Sequence, residues 1–280
     1  MPTIAIYCAQ TNERSKIVGT AMHRGCMALG LRADLLPSAS YRGVRQHEVA
    51  IFYGLADGLR RVFDDYRRHG KAIYIDLGYW GRRKRTRFDG HHKLVLNSRH
   101  PTAYFSRKSH GSARFDALGV TIEPWRAKGR HIIVAGMSGK AAACEGLGVE
   151  EWERNAVAKL RGFTDRPIIY RPKPNWTGAR AIPGSIMDAK TPLELALRNC
   201  HAVVTHHSNV GVDALMAGVP VISVEGVASL LGSRHVSDIG HPAMPDGRHQ
   251  WAADLAWTQW TVAEMEQGLA MRYLMDEGLI

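Results

Sequence analysis

Only four cysteines occur among the 280 residues (Cys8, Cys26, Cys144 and Cys200), and no two share C-x-x-C spacing. That excludes a disulfide-stapled scaffold and a cysteine zinc site, so reduced thiols and a cytoplasmic setting are expected. The longest apolar runs are strand-sized, which leaves no candidate transmembrane helix. The opening "MPTIAIYCAQTNERSK" lacks a basic start, a long apolar stretch and a small-residue cleavage site, so no signal peptide is expected. No G-x-G-x-x-G follows the first strand-like segment, which weighs against a dinucleotide oxidoreductase. The segment "GMSGK" (136–140) also lacks P-loop spacing, because Ala141 follows the lysine. Repeats at solenoid periods and low-complexity tracts are missing as well.

What is present is the composition of a globular protein, 45% hydrophobic and 22% charged, long enough for two ordinary domains. The net charge is +11, unevenly spread. Residues 1–130 hold 24 Lys/Arg against 10 Asp/Glu, whereas residues 131–280 hold 13 against 16. A split of this kind points to a polyanion met by the first half.

Short β-rich runs alternate with helical patterns: "TIAIYC", "ERSKIVGTAMHRGCMALG", "RADLLP", "EVAIFYGL", "GLRRVFDDYRRHG" and "KAIYIDLGYW". The pattern restarts at "HIIVAGMSGK" and runs through "VEEWERNAVAKLRGF", "PIIYRPKP" and "TPLELALRNC". In the last, Thr191 can cap, Pro192 suits the first helical position and Glu194 can reach back, which predicts a helix there. Such alternation predicts parallel sheets with helices on both faces, and the restart predicts two domains joined by Glu123–His131. The expected boundaries are 1–125, 130–246 and a Trp- and Met-rich helical segment, 247–280, packing across the domains.

Ligands of open α/β sheets lie beyond the carboxyl ends of the strands. "HAVVTHHSNVGVDALMAGVPVISVEG" (201–226) places His206, His207, Ser208 and Asn209 at such an edge. Ser208 can cap the following helix, whose first amides favour an anion, or serve as a cap alone. The two histidines alternate on extended chain, so one is expected to face a ligand. "HIIVAGMSGK" ends in Ser138, Gly139 and Lys140, and "IIYRPKP" ends in Arg171 and Lys173. Three such ends supply amides, hydroxyls and cations suited to a diphosphate.

The strand–Ser–Asn–helix–A-G-V-P-V-I arrangement, two Rossmann-like domains and a terminal helix resemble a GT-B glycosyltransferase, two domains facing a cleft. The pattern "HIIVAGMSGK … RPKP … THHSNVGVDALMAGVPVI … QWTVAEME" further resembles phage-type glycosyltransferases that modify hydroxymethylated pyrimidines in DNA. The resemblance implies a nucleotide-diphosphate sugar, a UDP-sugar, as co-substrate, with no other cofactor; no catalytic metal is expected, since His91 and His92 lack partner ligands at metal spacing. It implies donor contacts from Ser138, Lys140, Arg171, Lys173, His207, Ser208 and Asn209. Asp213 is placed to reach the cleft or a ribose, or to face solvent; Glu225 to hold a sugar hydroxyl, or to be a loop acid.

On the acceptor side, Asp76 ends the strand "KAIYIDL" and is the first candidate for the base that deprotonates an acceptor hydroxyl, with Asp89 the second. Arg82, Arg83, Lys84, Arg85 and Arg87 form a dense cationic run flanked by Tyr79, Trp80 and Phe88, with Arg99, Arg107, Lys108 and Arg114 beyond. Cations interleaved with aromatics suit phosphate contacts and base stacking, so Tyr79 or Trp80 is expected to support an extruded base. His91 and His92 lack ligand spacing and read as loop residues. The expected partners are a modified DNA duplex and a nucleotide sugar, without a membrane, for a monomer. A transferase acting on a surface polysaccharide or lipid-linked glycan is the alternative, and a non-catalytic nucleic-acid-binding protein is another of a different class.

Overall fold

The computed structural model describes residues 2–82, 90–103, 109–126, 128–174 and 176–280. The chain divides into two compact units, residues 1–118 with 252–280, and residues 119–251.

Unit 1 begins β1 (Ile4–Cys8), α1 (Glu13–Ala28), β2 (Ala33–Pro37), β3 (Val49–Tyr53), α2 (Leu59–His69), β4 (Lys71–Leu77) and β5 (His92–Leu96), with a single turn of helix, α3, at Ala113–Asp116. Strands β1 to β4 are parallel, and β5 runs antiparallel beside β4. Strict period-two alternation sorts the side chains to two faces. Ile4, Ile6, Val49, Ile51, Ile73 and Ile75 bury one face under α1. Ala5, Tyr7, Ala50, Phe52, Ala72 and Tyr74 bury the other under α2, whose Leu59, Val62, Phe63 and Tyr66 recur at helical spacing.

Unit 2 is wholly parallel. Its elements are β6 (His131–Ala135), α4 (Gly139–Cys144), α5 (Glu151–Arg161), β7 (Ile168–Arg171), β8 (Ile186–Met187), α6 (Leu193–Ala196), β9 (Cys200–Thr205), α7 (Val210–Met216) and β10 (Val221–Ser223). The strand order is β10-β9-β6-β7-β8. Val157 and Leu160 of α5 cover the face formed by Ile132, Val134, Ala202 and Val204. The predicted helix over 191–200 shrinks to α6. Thr191 gives its carbonyl to Arg171 instead of capping, and Asn199 turns the chain at φ +55° into β9.

Glu123 and Arg126, in the segment Glu123–His131 expected to be a linker, are tied into unit 2. The Glu123 and Arg126 amides donate to the Met216 and Gly218 carbonyls, and the Arg248 guanidinium binds the carbonyls of Glu123 and Leu215. The chain then enters α8 (Arg248–Ala256), β11 (Gln259–Trp260), α9 (Val262–Glu266) and α10 (Leu269–Asp276). Strand β11 extends the unit 1 sheet antiparallel to β5, and Trp260, Met265, Met271 and Leu274 join the core under α1. A Cβ on Gly25 would lie 2.0 Å from the Met265 carbonyl oxygen, so this glycine is what lets α1 and α9 meet backbone to backbone. Thr261 and Glu264 form a capping box at the α9 start, and Arg114 grips Glu264 at 2.6 and 3.1 Å.

The destination of this tail changes the charge distribution. Counted by unit, 22 basic and 14 acidic side chains fall in unit 1, and 15 and 12 in unit 2. Unit 1 keeps the larger positive excess, but the acidic tail tempers it.

Candidate functional site

In unit 2 the chemistry-bearing residues gather beyond the carboxyl ends of β6, β9 and β10. Thr205, the last residue of β9, ties these ends together. Its Oγ1 donates to the Ala135 carbonyl of β6 at 3.3 Å and accepts the Ser208 amide at 3.1 Å. Ser138 caps α4 by accepting the Ala141 amide at 3.2 Å, and Ser208 Oγ accepts the Val210 amide at 3.3 Å as α7 begins. Both helices therefore start at one sheet edge, where first-turn amides and the helix dipole favour an anion. Asn209 and Asp213 are half-buried in the first turn of α7; Lys140 and Lys173 are exposed. Gly211 serves the packing of α7: a Cβ there would sit 2.9 Å from Ala228 Cβ, with Thr205 and Val221 close behind.

Beneath the β6 turn lies a buried network that the sequence reading missed. Glu153 Oε1 accepts the Met137 amide at 2.5 Å and fixes the turn leading to Ser138. Burial pushes the Glu153 carboxyl above its ordinary value, against the pull of that amide. Glu150 accepts the Tyr170 hydroxyl at 3.1 Å and the Arg180 amide at 2.7 Å. Two glutamates at 150 and 153 opening an amphipathic helix read naturally as first-turn acids, which hides their inward orientation.

Two placements at this edge bear on the expectations. Arg171 is engaged within unit 2: its guanidinium meets Asp188 Oδ2 at 3.2 Å and donates to the Thr191 carbonyl at 2.7 Å. Burial works against the Asp188 charge, but amides of Thr191 and Lys190 and the Arg171 cation together hold its carboxyl below the usual value. Both histidines, rather than one, turn to the same spot. His206 Nδ1 lies 2.8 Å from His207 Nδ1, because β9 ends at Thr205 and alternation stops there. His206 is buried, His207 half-buried, and Glu225 is exposed beside them with its amide on the His206 carbonyl at 2.7 Å.

In unit 1 the corresponding edge holds a cavity of about 580 Å³ lined by Thr11, Asn12, Glu13, Arg14, Tyr53 and Ala56. Asn12 caps α1 by accepting the Ser15 amide at 3.2 Å, and Arg14 Nη1 reaches the Tyr53 hydroxyl at 3.5 Å. His92 meets the Tyr53 ring edge-on at 5.8 Å. It is the first residue of β5 and 1% exposed, not a loop residue, since pairing with Leu77 and Trp260 draws it into the sheet. Burial and the nearby Arg14 charge push its imidazole down to about 4. The strand-end logic applied to Asp76 would have found this site, had it also been applied to "CAQTNER" after β1.

Asp76 is half-buried near the end of β4, its Oδ2 accepting from the Tyr74 hydroxyl at 2.7 Å and its Oδ1 from the Leu77 amide at 2.8 Å. Its charge, second to burial, raises Tyr53, Tyr74 and Tyr79, so it belongs electrostatically to the same edge. Tyr79 and Trp80, expected to stack on a base, are 1% and 6% exposed. Gln259 Oε1 accepts both their amides, and Trp80 packs on Phe115, so neither ring presents a face to solvent. Arg82 folds back onto the Tyr79 carbonyl. Arg114 is likewise structural, seated 4.0 Å over the Trp260 ring. Asp89, Arg83, Lys84, Arg85 and Arg87 lie outside the described residues.

The two α/β units, one with a wholly parallel sheet and one with a sheet parallel but for β5, have the fold of the GT-B glycosyltransferases. Among solved structures, the chain is similar to Thermosulfurimonas dismutans KpsC, beta Kdo 2,7 transferase, with a TM-score of 0.56 at 13% identity over 96% of this chain and 99% of that one. The beta Kdo 2,4 transferase of the same KpsC gives 0.49 at 10% identity, covering 79% of each chain. A Staphylococcus aureus MnaA–UDP structure gives 0.36 at 11% identity, over 100% of this chain and 98% of that one. No family model and no curated protein matches the sequence.

Proposed function

We propose that the protein is a glycosyltransferase that takes its sugar from a nucleotide-diphosphate donor held at the carboxyl edge of the unit 2 sheet. The observation that carries this reading is the coincidence there of two helix starts, one capped by Ser138 and one whose first amide is held by Ser208 Oγ, with exposed Lys140 and Lys173 nearby. Amides, hydroxyls and cations so placed suit the two phosphates and the charge that grows on them as the sugar leaves. In unit 1, Asp76 is the proposed base. Its carboxylate takes the acceptor hydroxyl proton as the oxygen bonds the anomeric carbon, and the bond from that carbon to the diphosphate breaks.

The acceptor we favour is DNA carrying a hydroxymethylated pyrimidine, supported by the positive excess of unit 1 and the cationic run from Arg82 to Arg87. With Tyr79 and Trp80 in the core, support for an extruded base falls to other groups. The likeness to a beta Kdo 2,7 transferase supports a second reading, transfer to a glycan. Incubation with a panel of nucleotide sugars and either hydroxymethylated DNA, plain DNA or a glycan acceptor separates the two. A mass gain of one sugar on the modified nucleoside is expected. Transfer to glycan alone would displace the DNA reading, and binding without any transfer would leave a nucleic-acid-binding protein.

A further inference from the structure

Glu145, His206, His207 and Glu225 come from three segments of unit 2, yet their ligand atoms all lie within 4.8 Å of one another. Glu145 is the C-cap of α4, the two histidines follow β9, and Glu225 follows β10. The imidazole rings stand nearly perpendicular, at 86°, and Glu145 Oε1 is 3.8 Å from His207 Nδ1. Rigid backbone holds the cluster. The His206 carbonyl accepts the Ser223 hydroxyl at 3.1 Å and the Glu225 amide at 2.7 Å, and Trp152 meets the His206 ring edge-on at 5.8 Å.

We propose that these four side chains bind a divalent transition-metal ion of the zinc or manganese kind. Two imidazole nitrogens with two carboxylate oxygens form a mixed set that such ions accept, whereas Mg²⁺ and Ca²⁺ favour oxygen alone. Bonds of about 2.0–2.2 Å in a tetrahedral site place ligand atoms roughly 3.3–3.6 Å apart. Pairs as far apart as the 4.8 Å limit would close by roughly 1 Å on the ion, and the imidazole pair, at 2.8 Å, would spread by roughly half an ångström. A hydrogen bond between the rings accounts for their 2.8 Å contact alone. A cation would engage both rings and the two carboxylates that reach them from other segments at once. The exposure of Glu225 and partial exposure of His207 give the ion an entry path and room for further ligands. The site stands on side-chain placement within unit 2 and does not depend on the sugar-transfer reading.

The test uses the full chain, stripped with a chelator and titrated with Zn²⁺ by calorimetry and with Co²⁺ by visible absorption. One saturable equivalent is expected, with ligand-field bands from Co²⁺. Glu225→Gln alters an exposed position and leaves folding intact; it and His207→Asn should each weaken binding at least ~10-fold. Circular dichroism checks the fold of both variants. The chain has 14 histidines, so His235→Asn, at an exposed position elsewhere, serves as the control and should leave binding unchanged. Absence of saturable binding by the wild type, or equal affinity in the wild type and both site variants, overturns the site.

Discussion

Asp188 lies 3.2 Å from the Arg171 guanidinium, and that pairing makes Arg171 a brace between the end of β7 and the chain entering α6. Arg171→Ala should accordingly destabilise unit 2 by about 1–2 kcal/mol, since it removes a charge-assisted bond and leaves the Thr191 carbonyl short of a donor. Urea unfolding measures this. The Asp188 carboxyl is held below its ordinary 3.8, so its contribution is present above that value and is lost as pH falls through the lower folded value. Asp188→Asn should remove that acid-side loss. An Arg171→Ala protein as stable as the wild type, but unable to bind nucleotide, would return Arg171 to the ligand.

Lys140 and Lys173 both occupy exposed positions. Changing Lys140 to alanine should leave the unfolding midpoint within experimental error, and Lys173→Ala is its companion variant. If the donor reading holds, each change weakens nucleoside-diphosphate binding by roughly tenfold, the worth of one charge-assisted contact. Fluorescence or calorimetric titration reads the effect, and unchanged affinity in both variants would sink the donor assignment.

The buried Glu153 carboxyl has two separable roles. Glu153→Ala leaves the buried Met137 amide without its acceptor and should cost about 1–3 kcal/mol. Glu153→Gln keeps an acceptor and should be far milder. Because the folded carboxyl titrates above 4.5, the native state binds more protons there than the unfolded chain, and stability falls as pH rises from 4.5 through the folded value. The glutamine variant should lack that decline when unfolding is followed across mildly acidic pH.

His92 gives the opposite slope. Its imidazole titrates near 4 in the folded protein against 6.5 ordinarily, so the unfolded chain takes up a proton first as pH falls. Stability should drop between pH 6.5 and 4 by an amount on the order of 3 kcal/mol. His92→Phe removes the titrating group and should flatten that interval. Parallel slopes for the two proteins would mean that His92 is solvated.

Asp76→Asn retains size and can still accept from Tyr74 and Leu77, but it cannot take a proton. Sugar transfer should fall ~100-fold or more while nucleotide binding persists. Near-normal turnover would pass the role of base to another group, Asp89 being the next candidate.

Much of the fold was legible because the β1, β3, β4, β6 and β9 segments are short, apolar and β-branched, and are separated by patterns of helical period. Period alone fixes their faces. The site edge followed from the same logic, since a strand's carboxyl end can be read from where its apolar run stops. The pairings of Arg171 with Asp188, of Glu153 with Met137 and of Glu145 with the histidine pair were not legible, because each joins segments whose meeting depends on sheet order. Tyr79 and Trp80 misled for a related reason: beside five cations they read as surface aromatics, but Gln259, 179 and 180 residues away, holds their amides.

The return of residues 252–280 to the first sheet also bears on the order in which the protein takes shape on the ribosome. Residues 119–251 form a continuous unit and can close as soon as they emerge, while residues 1–118 must wait for β11 and α9 to cover α1 and complete their sheet. During that interval Val18, Met22 and Cys26 lack part of their final cover. Residues 1–118 are thus made before residues 119–251 yet become native after them, and any chaperone dependence of these two units should be concentrated in the former.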